Sequence, residues 1–236
     1  MAGKYIAVGA GPAADLITLR GLRALERAEV ILYDKLIDPL IIEDLNAEKI
    51  FVGKTPYGKH TNQEEINSII ASKLAEGKTV ARLKGGDSLL FSRVAEELCI
   101  ARENGAEIEI IPGVTAASGA MARAQIPLTD RLSSQGAVFI TGHAKKGDEQ
   151  LPGYNWKLLA SVKLTLVVYM GVKHITLIAK ELIKHGLDNN TPVLVASKIE
   201  QPEEFMQTCT VKALADGNFH AENPALFIIG KVLEIK

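Results

Sequence analysis

Cysteine is nearly absent: Cys99 and Cys209 are the only two in 236 residues, and they stand far apart. Neither a disulfide framework nor a paired-thiol metal site can be built from them, so both read as small core side chains. The histidines, His60, His143, His174, His185 and His220, are scattered without metal-ligand spacing, so no metal is expected. Charge of one sign is missing as well. With 27 basic and 28 acidic residues the net is −1, so no overall field draws in nucleic acid or an anionic membrane, and any anionic ligand must be met by local cations. No apolar run approaches the roughly 20 residues of a bilayer span. Met1-Ala2-Gly3-Lys4-Tyr5 leads directly into a strand pattern without a signal-peptide core. A cytoplasmic protein with no nucleic-acid or membrane partner is the expectation. Gly-x-x-x-x-Gly-Lys-[Ser/Thr] and Gly-x-Ser-x-Gly are missing too, which removes a P-loop NTPase and leaves a serine hydrolase without support.

What is present is a hydrophobic content of 47%, enough for a substantial core. In the first half, strand-like runs at 4–8, 30–33, 50–52, 78–83 and 107–111 alternate with helical patterns over 16–27, 91–104 and 114–122. A further helix is expected from a Thr61/Glu64 capping box to near Gly77, with Ile66, Ile69, Ile70 and Leu74 on one face. This alternation predicts an α/β fold with a mostly parallel sheet. In the second half strands are expected at 137–140, 164–169, 192–196, 207–211 and 225–229, with 232–235 continuing the sheet edge and one clear helix over 172–185. More strands and fewer helices there predict a mixed sheet. The boundaries drawn are an N-terminal α/β domain over 1–113 and a C-terminal α/β domain over 114–236, with the hinge between Pro112 and Ser134.

Chemistry is expected at the glycine turns. Arg82-Leu83-Lys84-Gly85-Gly86-Asp87 ends a buried strand in two glycines and a carboxylate. Glycines let the backbone approach a ligand, and Asp87 offers acceptors to hydroxyls; the same turn also suits Asp87 as a helix N-cap. Gly9-Ala10-Gly11-Pro12-Ala13-Ala14, followed by Asp34 after the next strand, imitates the dinucleotide fingerprint. Pro12 argues against that reading, because it has no N–H to give a pyrophosphate. Lys54 and Lys59 lie on a polar loop where side chains can face a ligand.

Taken together, these stretches resemble the tetrapyrrole (class III) methyltransferases along nearly the whole chain. The motifs are Val8-Gly9-Ala10-Gly11-Pro12 with Asp15-Leu16-Ile17-Thr18-Leu19; Leu32-Tyr33-Asp34-Lys35-Leu36; and Val52-Gly53-Lys54 with Gly58 and His60. Leu83-Lys84-Gly85-Gly86-Asp87 with Phe91 and Arg93 follows, then Pro112-Gly113-Val114-Thr115-Ala116-Ala117 with Ile126-Pro127-Leu128-Thr129 and Arg131. Thr141-Gly142-His143, Tyr169-Met170-Gly171 and Pro224-Ala225 with Gly230 complete the set.

The resemblance implies two α/β domains with S-adenosylmethionine folded in the cleft between them, a homodimer, and S-adenosylhomocysteine as by-product. It implies C-methylation of uroporphyrinogen III at two pyrrole carbons to give precorrin-2, at the branch point of sirohaem and cobalamin synthesis. By motif, the cofactor touches Pro12, Gly85, Gly86, Asp87, Leu90, Thr115, Ala116, Met170 and Ile199. Asp34 is the implied proton acceptor and Lys54 the donor, while Arg93 and Arg131, with Lys54, meet substrate carboxylates. The sequence departs from the family's usual pattern at Ser88-Leu89, at Ser92-Arg93-Val94-Ala95, and at Asp130, where a histidine is usual; Ser197-Lys198-Ile199-Glu200-Gln201 replaces a Gly-Thr motif. The alternatives are a methyltransferase acting on a later corrin intermediate such as precorrin-4, an NAD-dependent oxidoreductase, and a non-catalytic binding module.

Overall fold

The structure, a computed structural model, describes residues 3–53, 61–143 and 151–235. The chain divides into two compact units, 1–116 and 117–236.

In the first unit the elements are β1 (Lys4–Gly9), α1 (Leu19–Glu26), β2 (Val30–Tyr33), β3 (Glu48–Phe51), α2 (Gln63–Ala75), β4 (Thr79–Lys84), α3 (Val94–Glu103) and β5 (Glu107–Ile111). The strands form one sheet in the order β3-β2-β4-β1-β5, and every neighbouring pair is parallel. Successive side chains of a strand point to opposite faces, and the apolar runs supply both. Tyr5, Ala7, Leu32 and Val80 pack with Ile66 and Ile70 of α2 and Leu98 of α3. Ile6, Val8, Ile31 and Leu83 pack on the other face with Ala24 and Leu25 of α1. The connection leaving β1 therefore crosses one face and the one leaving β4 crosses the other. Because β1 and β4 are neighbours, their loops diverge at the carboxyl ends, the place where open α/β sheets hold ligands.

In α1, α2 and α3 the helix start differs from expectation, each for a local reason. The capping box is Asn62 with Glu65, one residue later than Thr61/Glu64: the Asn62 side chain accepts from Glu65 N at 2.9 Å and Glu65 Oε2 accepts from Asn62 N at 3.0 Å. α1 starts only after Thr18, whose Oγ1 accepts from Gly21 N at 3.0 Å, while Ala14–Leu16 forms a 3-10 turn. α3 starts at Val94 because Phe91 and Arg93 sit at φ 52° and 56°, a left-handed conformation that a helix does not admit.

The second unit contains β6 (Ala137–Thr141), β7 (Thr165–Tyr169), β8 (Pro192–Ser197), β9 (Phe205–Thr210) and β10 (Ala225–Ile229), entered through α4 (Ala116–Ala124). The sheet order is β6-β7-β10-β8-β9, with β6–β7 parallel and the other pairs antiparallel, so the expected mixed sheet is present. Helices α5 (Trp156–Ser161), α6 (Ile175–Lys184) and α7 (Val211–Asp216) contribute Ala160, Ile178, Leu182 and Leu214 to a core with Val168, Val195 and Phe227. The expectation of more strands and fewer helices than in the first half is overturned: each unit's sheet has five strands. α5 and α7, at six residues each, are too short to show a helical period. The run 232–235 does not extend the sheet. Lys231–Glu234 is a 3-10 turn after Gly230, whose φ of 153° turns the chain, and β10 already has β7 and β8 on its two sides.

Candidate functional site

Three strand ends of the first unit converge on glycine. Gly11 and Gly86 exchange backbone hydrogen bonds, N to O at 3.0 Å in both directions, joining the turns after β1 and β4. Both have left-handed φ, 76° and 68°, which glycine adopts without steric cost. A Cβ on Gly9 would lie 2.5 Å from Gly113 N and 2.9 Å from Gly86 O, and one on Gly113 would press into Gly86 O and the Gly9 backbone. Side chains at 9 and 113 would therefore hold the ends of β1, β4 and β5 apart. Pro12 directly follows this bridge. A Cβ on Gly86 would meet Ala116 N at 3.7 Å and Val114 O at 3.9 Å, in ordinary van der Waals contact. Thr115 and Ala116 are half-buried at the start of α4.

Asp87 is not the helix N-cap that its position also allowed; Arg93 occupies that place for α3. Instead, Asp87 Oδ1 accepts from Leu89 N at 3.1 Å and from Gly113 N at 3.3 Å. Its Oδ2 makes no hydrogen bond to any described residue, leaving an acceptor beside the glycines. Ser88 and Ser92, both departures from the family pattern, tie the loop down. Ser88 is fully buried and its Oγ donates to Ile111 O at 3.0 Å, and Ser92 Oγ donates to Ser88 O. Leu90 is half-buried, with its N–H on Asp87 O at 3.3 Å. Arg93 is exposed and held by Glu96 through two 2.7 Å hydrogen bonds, which raise its pKa.

Asp34 follows β2, at the same end of the sheet. Its Oδ1 accepts from Leu36 N at 3.0 Å and its Oδ2 lies 3.4 Å from Arg82 Nη2. Arg82 opens a buried polar cluster to which the sequence reading attached no role. Arg82 Nη1 donates to Leu83 O at 2.7 Å and Leu32 O at 3.3 Å. Glu97 of α3, fully buried, accepts from Tyr5 Oη at 2.7 Å, Lys84 Nζ at 2.8 Å and Gln63 Nε2 at 3.2 Å. Arg82 Nε is 3.5 Å from Glu97 Oε1 but makes no hydrogen bond. Burial, with the Arg82 charge nearby, pushes the Lys84 ammonium down against the pull of Glu97, and burial raises the Tyr5 hydroxyl. Two charged residues at alternate positions of an otherwise apolar strand were the available signal, since alternation puts both on one face. Lys54 lies outside the described residues.

In the second unit Met170 follows β7 at φ 52° and is exposed. Ile199, after β8, is buried, between Lys198 and Glu200 at φ 49° and 62°. Arg131 is exposed on a loop whose ends pair through Asp130 N to Ser134 O at 2.7 Å and Ser134 N to Asp130 O at 3.0 Å. The Asp130 carboxylate is turned onto that loop, accepting from Leu132 N and Ser133 N, each at 2.7 Å, and from Ser133 Oγ at 3.1 Å. These bonds hold its pKa below the usual carboxylate value. Among the described residues, no group of three or more His, Cys, Asp or Glu could hold a metal, and no helix is long and apolar enough to cross a membrane.

The parallel α/β unit thus places glycine turns, and a carboxylate oxygen with no hydrogen bond to any described residue, at its topological switch point, the place where open α/β sheets hold ligands. Residues 4–215 match the tetrapyrrole (corrin/porphyrin) methylases, and the chain belongs to that family of methyltransferases. Among solved structures, the uroporphyrin III C-methyltransferase of Thermus thermophilus is 35% identical, with a TM-score of 0.84 over 99% of this chain and 100% of that one. A second structure of that enzyme, in complex with S-adenosylhomocysteine, matches equally well. A cobalt precorrin-4 methyltransferase is 30% identical with a TM-score of 0.83, over 98% of this chain and 95% of that one. The siroheme synthase of Zymomonas mobilis is 44% identical over 98% of this chain and 49% of its own length. The chain thus spans about half the length of the curated relatives it matches. Family membership accounts for the Gly-Ala-Gly-Pro turn without a dinucleotide.

Proposed function

We propose that this chain is an S-adenosylmethionine-dependent C-methyltransferase that methylates uroporphyrinogen III at two pyrrole carbons, yielding precorrin-2 for sirohaem or cobalamin synthesis. The observation that carries the reading is the Asp87 turn: an acceptor oxygen with no hydrogen bond to any described residue, next to two glycines that keep the backbone bare of side chains. Those features fit a donor with ribose hydroxyls. Pro12, Gly85, Gly86, Asp87, Leu90, Thr115 and Ala116 are the donor contacts we assign in the first unit. In the second unit we assign Met170, whose thioether is a soft apolar wall suited to a sulfonium, and Ile199.

The donor supplies an already activated methyl group, so the protein's work is alignment and proton management. Methylation of a pyrrole carbon leaves a cation on the ring system, and a bridging carbon then loses a proton. Asp34, half-buried and 3.4 Å from Arg82 Nη2, is the proton acceptor we assign, and Lys54 the proton donor. Arg93, Arg131 and Lys54 are assigned to the substrate's carboxylates; for Arg93 this means exchanging Glu96 for the substrate. A homodimer, which rests on the family resemblance alone, and a cytoplasmic location complete the reading.

Label transfer tests the acceptor. With methyl-labelled donor, uroporphyrinogen III is expected to take label, and a corrin-type acceptor that already carries methyl groups is not. Label on the corrin alone would move the chain to a later step, as in the cobalt precorrin-4 methyltransferase it is similar to.

A further inference from the structure

Arg82 is an arginine buried in the interior of a sheet. A charge in that position is strongly destabilising unless it is paired and hydrogen-bonded. Its cluster contains two cations, Arg82 and Lys84, but only one fully buried anion, Glu97, and Lys84 already takes the shorter contact with it, 2.8 Å against 3.5 Å. One positive charge is left over. Among the described residues, the other carboxylate in ion-pair reach of Arg82 is Asp34.

The guanidinium has no freedom to point elsewhere. Its Nη1 is fixed on the carbonyls of Leu32 and Leu83, at the ends of β2 and β4, which directs Nη2 to Asp34 Oδ2. Leu36 N holds the other oxygen of the same carboxylate. The planar fork is essential here, because a lysine has a single nitrogen and cannot serve both strands and the carboxylate.

We infer that Arg82, fixed on the Leu32 and Leu83 carbonyls and facing the buried carboxylate of Glu97, is a positioning residue for Asp34: it holds that carboxylate aimed for proton acceptance. The inference rests on the assignment of Asp34 under the proposed function.

A double-mutant cycle with Asp34→Asn, Arg82→Lys and the pair together tests it, using kcat, KM for both substrates, and donor affinity by calorimetry as the check on folding. Arg82→Lys keeps the buried charge and loses the fork. It is expected to lower kcat about tenfold with donor affinity unchanged, and to add nothing in the Asp34→Asn background. The same loss in both backgrounds, or an effect confined to stability and KM, would overturn the inference while leaving Asp34 as the acceptor. An undiminished kcat in Asp34→Asn would remove the assignment of Asp34 and the inference with it. Glu97→Gln provides a second cycle, which decides by the same criterion if Arg82→Lys fails to bind the donor: the shape is kept, the buried carboxylate facing Arg82 loses its charge, and non-additivity with Asp34→Asn is again expected.

Discussion

Gly11 and Gly86 are joined by two reciprocal 3.0 Å hydrogen bonds, so the turns after β1 and β4 form one structural unit. The two turns are held together before the chain leaves them toward opposite faces of the sheet. Gly113 locks the third strand end against them.

The closeness of that packing sets the effect of adding one carbon. Gly113→Ala places a methyl against Gly86 O and the Gly9 backbone, and because these are main-chain atoms they cannot swing aside. A loss of about 2–3 kcal/mol is expected, read as a lower urea midpoint at unchanged slope. Gly153→Ala, where nothing lies within 4 Å, serves as the neutral control. Equal midpoints for the two variants would contradict the packing account.

Asp87→Ala is expected to abolish donor binding with the fold kept, because it removes the acceptor oxygen as well as the loop's hold on Leu89 N and Gly113 N. Isothermal calorimetry checks it. Unchanged affinity would displace the donor from this turn.

Asp34→Ala should separate binding from turnover. Donor affinity is expected to hold, and kcat to fall about 100-fold or more, the usual loss for a general base. An undiminished rate would take Asp34 out of the proton transfer.

The 130–134 loop carries a pH signature. The folded pKa of Asp130 lies below its ordinary value because Ser133 and Leu132 amides bind the ionised form. Its contribution is therefore complete above the ordinary carboxylate value and lost as pH falls through the lowered, folded one. The Leu132 and Ser133 amide resonances are expected to move with a midpoint below the ordinary value, and to stop titrating in Asp130→Ala. A midpoint at or above the ordinary value would contradict the loop's geometry.

Much of this was legible in the sequence, and the gaps have physical causes. Strands 30–33, 107–111 and 225–229 are legible to their observed ends because the strand patterns stop there at Asp34, Pro112 and Gly230. The helix expected from Phe91 begins three residues later, since side-chain periodicity carries no information on a left-handed φ at Phe91 and Arg93. The Gly85-Gly86-Asp87 turn could be singled out because its residues are contiguous, whereas the approach of Gly11 and Gly113 to it comes only with the fold. Arg82, Lys84 and Glu97 could not be paired, as Glu97 reaches the strand only through the packing of α3 on the sheet. Asp130 adjoins Arg131 in the sequence, but its carboxylate is taken up by its own loop.

The most direct measurement supplies the protein with S-adenosylmethionine and freshly reduced uroporphyrinogen III and determines the mass of the extracted, oxidised pigment. The account predicts the addition of two methyl groups. Recovery of unmodified pigment, with donor binding intact, would contradict uroporphyrinogen III as the acceptor.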